Sequence, residues 1–168
     1  MPVVVFGRDT VTQLKPIPPN PDRYVFDSPR ESVVQTIGGV GKRQLSANYL
    51  FARKRNGNSM AKIEYAVVPM PFTKLTSFGI YGLNGQPLQY MATYTVGLTE
   101  IGSSQTEISV VAINPRVFLQ NKRFNIHTFR FDQPACIPVK ATGIEEYEII
   151  YLIGQSIKQK GMPSVNYP

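Results

Sequence analysis

RQLSANYLFARKRNGNSMAKIEYAVV, residues Arg43–Val68, is the stretch from which the fold is read. Two strand-like runs, Arg43 to Arg53 and Ala61 to Val68, flank the turn Lys54-Arg55-Asn56-Gly57-Asn58-Ser59. Asn-Gly between such runs marks a hairpin, because both residues tolerate the positive φ that tight strand reversals require. In the second run Ala61, Ile63, Tyr65 and Val67 share one side, while Lys62, Glu64, Ala66 and Val68 share the other. A period of two is the mark of a half-buried strand. In the first run Arg43, Leu45, Ala47, Tyr49, Phe51 and Arg53 share a side, and Gln44, Ser46 and Asn48 point oppositely.

Outward from this hairpin the same style recurs. Gln89 to Gly97 alternates Tyr90, Ala92, Tyr94 and Val96 with Thr93 and Thr95, Gly102-Ser103-Ser104 turns the chain, and Gln105 to Ile113 runs back. Strands are also expected at Met1–Phe6, Val11–Leu14, Phe78–Tyr81 ahead of the Asn84-Gly85 turn, and Arg123–Phe131, with a break at Asn114-Pro115. From Ser32 onward strands dominate. Before that, Lys15-Pro16-Ile17-Pro18-Pro19-Asn20-Pro21 lacks the N–H groups a ladder or helix needs, so residues 1–31 read as an extended Pro-rich arm lying on its own or a neighbouring surface, with a plain linker as the alternative. Residues 32–168 read as a single β-rich domain ending in a helix near 143–160. Thr142-Gly143-Ile144-Glu145 matches a capping box, Glu145, Glu146 and Glu148 suit a first turn, Lys158 and Lys160 a last one, and Gly161 with Pro163 a stop. A strand is the rival reading, since Tyr147, Ile149, Tyr151 and Ile153 also alternate; the caps favour helix. The fold class is mainly β with a C-terminal helix (α+β), built on an antiparallel sheet of several strands.

Composition narrows the function. Apolar residues make up 42% of the 168 and charged residues only 17%, so much of the surface is neutral or buried against other copies. One His (His127) and one Cys (Cys136) supply neither a zinc site nor a disulfide, and no cofactor or metal is expected. Cys136, within Pro134-Ala135-Cys136-Ile137-Pro138-Val139, reads as a buried, inert thiol. His127 reads as a strand histidine without an acid near it, and Glu145 with Glu146 as a helix first turn rather than a glycosidase pair. The Gly38-Gly39-Val40-Gly41-Lys42 run lacks the spacing and the Ser or Thr of a phosphate loop and reads as a turn or bulge. No acid, base and nucleophile set can be assembled around one His and one Cys without invoking only carboxylates or lysines, so the chain is not expected to be an enzyme. No apolar run has the length of a membrane span and Met1–Phe6 is short for a signal peptide, which leads to the expectation of synthesis in a cytoplasm.

The net charge of +7 is unevenly placed. No acid stands between Glu31 and Glu64, whereas Lys42, Arg43, Arg53, Lys54, Arg55 and Lys62 do. A basic middle favours a polyanion, most simply a nucleic-acid backbone; a solvated basic hairpin is the bland alternative. The candidate RNA-binding residues are Lys42, Arg43, Ser46, Asn48, Arg53, Lys54, Arg55 and Lys62, short polar and basic side chains suited to phosphates.

The order of elements resembles the coat proteins of single-stranded RNA bacteriophages, the levivirus-like coats. Arg43 to Leu50 through Asn56-Gly57 to Pro69 resembles a long hairpin of that family, and Phe124 to Phe131 followed by the Thr142 cap and the helix resembles its last strand and helix. The hairpins 43–68 and 89–113 both fit the family's central one. Small viral jelly-roll coats are a second resemblance, through the many short strands and Asn-Pro turns. The resemblance implies a sheet completed by dimerisation, with the opposite sheet face binding RNA. The expected function is therefore a virion structural protein, synthesised in a host cytoplasm, that self-assembles into an icosahedral capsid. Its expected partners are other copies of itself and viral genomic RNA, and no membrane. A phage tail or decoration protein, or a cellular nucleic-acid-binding β module, is the alternative.

Overall fold

Alternation of large apolar and short polar residues makes Gln89–Glu100 and Thr106–Phe118 strands of unequal faces, and the computed structural model pairs them along nearly their whole lengths. The structure describes residues 3–6, 9–39, 49–53, 62–69, 78–118, 124–125, 130–131 and 136–168. In chain order these form β1 (Val3–Phe6), β2 (Asp9–Gln13), β3 (Arg23–Phe26), α1 (Arg30–Gly39), β4 (Tyr49–Arg53) and β5 (Lys62–Pro69). There follow β6 (Tyr81–Leu83), β7 (Gln86–Pro87), β8 (Gln89–Glu100), β9 (Thr106–Phe118), β10 (Phe124–Asn125), β11 (Arg130–Phe131), β12 (Cys136–Pro138) and α2 (Ile144–Ser156). The fold is mainly β, antiparallel, with a C-terminal helix.

The main sheet runs β12-β9-β8-β5-β4, and β3 pairs with the other half of the β9 edge that β12 occupies. The hairpin at its centre is therefore β8–β9, not the one at Arg43–Val68. A smaller sheet, β1-β2-β6-β7, gathers the N-terminal hairpin and the Asn84-Gly85 turn, whose two residues have φ of 50° and 77°. Tyr90, Ala92, Tyr94, Val96 and Leu98 of β8 and Ile108 and Val110 of β9 are buried on one side. Against them lie Ile149, Ile150 and Ile153 of α2 and Val33 and Ile37 of α1.

Several expectations are corrected. Arg30–Gly39 is helix, not strand: the Pro29 carbonyl accepts from the N–H groups of Ser32 (3.0 Å) and Val33 (3.3 Å), and Val33 and Ile37, one turn apart, are both buried. Gly38 and Gly39 belong to its last turn rather than to a loop. Asn114-Pro115 does not break β9. Asn114 takes a positive φ of 51° and the register slips between Met91 and Thr93, so the irregularity is a bulge within one strand. Phe78 and Gly79 form a turn with φ of 47° and 70°, and β6 starts at Tyr81. The Arg123–Phe131 run is not one strand, because Phe124 pairs with Phe131 and Asn125 with Arg130. Cys136 is exposed, since the alternation of edge strand β12 gives the interior to Ile137 instead.

At the C-terminus α2 stops at Ser156, short of Lys158 and Lys160. The Lys158 N–H donates to the Gln155 carbonyl (3.0 Å) and the Gln159 N–H to that of Gly154 (2.8 Å), while Lys158 takes φ of 59°. That is a Schellman stop with lysine in the left-handed position where glycine is usual. Gly161 and Pro163 come after it. The tail then lies along the Pro-rich segment. Asn20 and Asn166 exchange two hydrogen bonds (3.0 and 2.9 Å), and Tyr147 donates its hydroxyl to the Pro163 carbonyl (2.6 Å).

Ile108 and Val111 sit three residues apart on β9, the first fully buried and the second 58% exposed. Ile108→Ala is expected to cost about 2–5 kcal/mol of unfolding free energy, and Val111→Ala less than about 0.5 kcal/mol. Chemical denaturation of the two variants checks the two-sidedness of the sheet.

Candidate nucleic-acid interface and buried carboxylates

One face of the β3-β9-β8 sheet is packed under helices; among the described residues the other is open. Pleating places Arg23 and Val25 of β3, Glu107, Ser109, Val111 and Ile113 of β9, and Thr95 and Thr99 of β8 on the open side. Val111 is 58% and Ile113 40% exposed, and Val25 is exposed nearby. Three β-branched aliphatics facing solvent amid threonine and serine form a surface suited to contact with another molecule. Arg23, paired with Asp22 at 3.6 Å, and Arg116, whose Nη1 donates to the Asn114 carbonyl (3.3 Å), stand at its borders.

Of the residues read from the sequence as RNA contacts, Lys42, Arg43, Ser46, Asn48, Lys54 and Arg55 lie outside the described residues, as does His127. Arg53 closes β4 and Lys62 opens β5, so both border the turn of their hairpin. They do not share a face. Arg53 is in register with Tyr65, three residues on from Lys62, so the two positions have opposite parity. Lys62 is in register with Thr99 and through it with Glu107, which puts its position on the open side. The structure thus brings one expected position, Lys62, into line with the open face.

Sequence reasoning missed a buried acidic centre at the start of α2. Glu145 is 1% and Glu146 4% exposed, both beneath the sheet rather than on a solvated first turn. The capping box forms differently from the expected one. Gly143, in the left-handed region at φ 74°, occupies the N-cap, which moves Thr142 one place outward. The Thr142 hydroxyl accepts from the Ile144 N–H (3.2 Å) and donates to the Glu145 carboxylate. Burial pushes the Glu145 carboxyl up to about 7, against the opposing pull of the Thr142 bond. Burial raises Glu146 as well, and raises Tyr90, with further upward push from Glu145 and Glu146. Tyr90 stacks on Tyr81 with ring centroids 6.4 Å apart, and Tyr81 donates to the Lys140 carbonyl at 2.7 Å. The legible signal was that Glu145 and Glu146 share helical faces with Ile149, Ile150 and Ile153.

Among the described residues no group of three or more His, Cys, Asp or Glu side chains could hold a metal ion, and no helix is long and apolar enough to cross a membrane. No protein-family model matches the chain, and no curated protein and no solved structure matches it.

Glu145 makes stability depend on pH. Its carboxyl, raised in the folded state, binds a proton there over a range where the unfolded chain has lost it. The stabilisation is complete below 4.5 and is lost as pH rises to about 7. At 1.4 kcal/mol per pH unit the loss is about 3 kcal/mol. Unfolding curves between pH 4.5 and 7.5 are expected to show this fall, and Glu145→Gln to flatten it, because glutamine keeps an acceptor for Thr142 but has no proton to lose.

Proposed function

We propose that the chain is a virion structural protein, a coat subunit that self-assembles into an icosahedral shell and holds RNA against the open face of its sheet. The observation that carries this reading is the two-faced sheet. Helices and an aliphatic core fill one side, while Val25, Val111 and Ile113 stay exposed beside Thr95, Thr99 and Ser109 on the other. An isolated small domain gains nothing from aliphatics at that exposure, whereas a surface that meets another molecule does. Hydroxyls on a flat face suit phosphate and ribose contacts, and a net charge of +7 supplies long-range attraction to a polyanion. On this reading the β4 edge carries sheet pairing between two copies, and the basic residues of the β4–β5 hairpin, Lys54 and Arg55 among them, add phosphate contacts.

Protein expressed alone in bacteria and passed over a sizing column is expected to elute as closed particles. Their 260/280 nm ratio should be that of a nucleoprotein, with RNA protected from nuclease. Tubes or rings free of RNA would replace this reading with a tail or decoration protein. A monomer or dimer that binds RNA steeply with salt would replace it with a binding module. In the RNA-binding form, Lys54→Gln with Arg55→Gln is expected to reduce the slope of log affinity on log salt by about 1.4, at ~0.7 per lost phosphate contact. An unchanged slope removes those two residues from the interface.

A further inference from the structure

β3 and β12 share one edge of β9 and leave a gap between them. The Val110 N–H donates to the Asp22 carbonyl (3.1 Å) at the end of β3, and the Val139 N–H to the Pro115 carbonyl (2.9 Å) beside β12. Beside this gap the Pro-rich segment borders an open cleft of about 410 Å³. Its wall is held in place from behind, since Asn166 Nδ2 donates to the Pro19 carbonyl at 2.8 Å and Asn20 pairs with the Asn166 backbone. The lining is aliphatic at Ile17, Pro18, Val110, Val111 and Ala112, polar at Asn20 and Thr142, and acidic where Asp22 and Glu146 meet it. Glu146 is 4% exposed, and its Oε2 is buried with no hydrogen-bond partner among the described residues.

The balance of charges here is unusual. An ionised carboxylate held out of water costs several kcal/mol unless a cation or donors answer it. The ion pair found among the described residues is Arg23 with Asp22 at the exposed rim; backbone N–H groups of Glu146 and Gly143 bond the Glu146 carboxylate, yet its Oε2 is left without a partner. Lys140 also borders the cleft, but its side chain is exposed and forms no ion pair with a described carboxylate. A partly aliphatic cleft beside a buried carboxylate oxygen without a partner suits a cation carried on a hydrocarbon stem, whose methylenes replace water on the walls while its head bonds that oxygen.

We propose that this cleft is a binding site for an alkylammonium or alkylguanidinium group, held by Glu146 inside and Asp22 at the rim. Two sources share that chemistry, a free aliphatic amine and a lysine or arginine side chain from a second copy of this chain. The site stands independently of the coat reading.

The test uses the full chain and n-butylammonium, with butanol and butyrate as controls, followed by the amide NMR shifts of residues 110–112 and 141–146. Butylammonium is expected to shift these amides saturably, with butanol and butyrate at least tenfold weaker. Glu146→Gln should lower the butylammonium affinity by about tenfold or more, the loss of one charge-assisted hydrogen bond. Asp22→Asn, an exposed change that leaves the core intact, should lower it by a smaller factor, and Lys140→Ala should not lower it. Sedimentation then separates the sources. Self-association that Glu146→Gln weakens and butylammonium competes away identifies a side chain of a second copy; association indifferent to both identifies a free amine. Equal shifts from butanol and butylammonium, no saturable shift from either, or undiminished affinity in both Glu146→Gln and Asp22→Asn would overturn the proposal.

Discussion

The pairing of β8 with β9 is the constraint on which the rest of the molecule depends. Every other strand of the main sheet reaches it directly or through one neighbour: β5 along β8, β4 beyond β5, and β3 and β12 on the far edge of β9. Because side chains alternate across a strand, the register that joins Tyr94 to Ala112 and Leu98 to Ile108 also decides which residues face α2 and which face away. A slip of one residue would turn Val111 and Ile113 into the core and Ile108 and Val110 out of it. The bulge at Asn114 limits such slippage, since it gives the two strands a fixed point of unequal length.

The helical side carries an unusual load. α2 buries isoleucines against the sheet, yet its first turn brings Glu145 and Glu146 in with them. Thr142 and the left-handed Gly143 make this tolerable, the one by donating to Glu145 and the other by opening the first turn. Burial holds a proton on Glu145 to about pH 7, so the centre is closer to neutral than two glutamates would be in water. The charge that the rest of the chain carries is therefore less offset near neutral pH than the formal sum of +7 implies.

Much of this architecture was legible in the residues. The alternation of Tyr90, Tyr94 and Val96 with threonines predicted β8 and its buried face, and the Asn84-Gly85 turn and the C-terminal helix followed from local chemistry. What escaped depends on tertiary context. Val33 and Ile37 form a helical stripe only because α2 and β8 provide something to pack on. Asn114-Pro115 reads as a stop, and becomes a bulge because β8 continues alongside. Cys136 lies in an apolar run yet faces outward, since its parity is set by Ile137 against Val117. Of the candidate site, the sequence directed attention to a sheet face of the Arg43–Val68 hairpin, most of whose candidate residues lie outside the described ones, whereas the exposed aliphatic face is read from β3, β8 and β9. Its exposed members come from β3, β8 and β9, whose sequences resemble the buried positions beside them. The cleft beside the Pro-rich segment has no linear signature, because Asp22, Val110 and Glu146 meet only after folding.

On the proposed function, the open face of β9 is where this protein meets its partner. Thiol accessibility tests it most directly. In a Cys136→Ser background, Val111→Cys places a single thiol at the centre of that face and Ser156→Cys places one at the exposed end of α2. Both are expected to react with a maleimide at the same rate in the dispersed chain. In RNA-bearing particles the Val111→Cys thiol is expected to be protected by at least about tenfold while the Ser156→Cys thiol keeps reacting, as a thiol in a dry interface core would. Full reactivity of the Val111→Cys thiol in assembled particles would contradict the account.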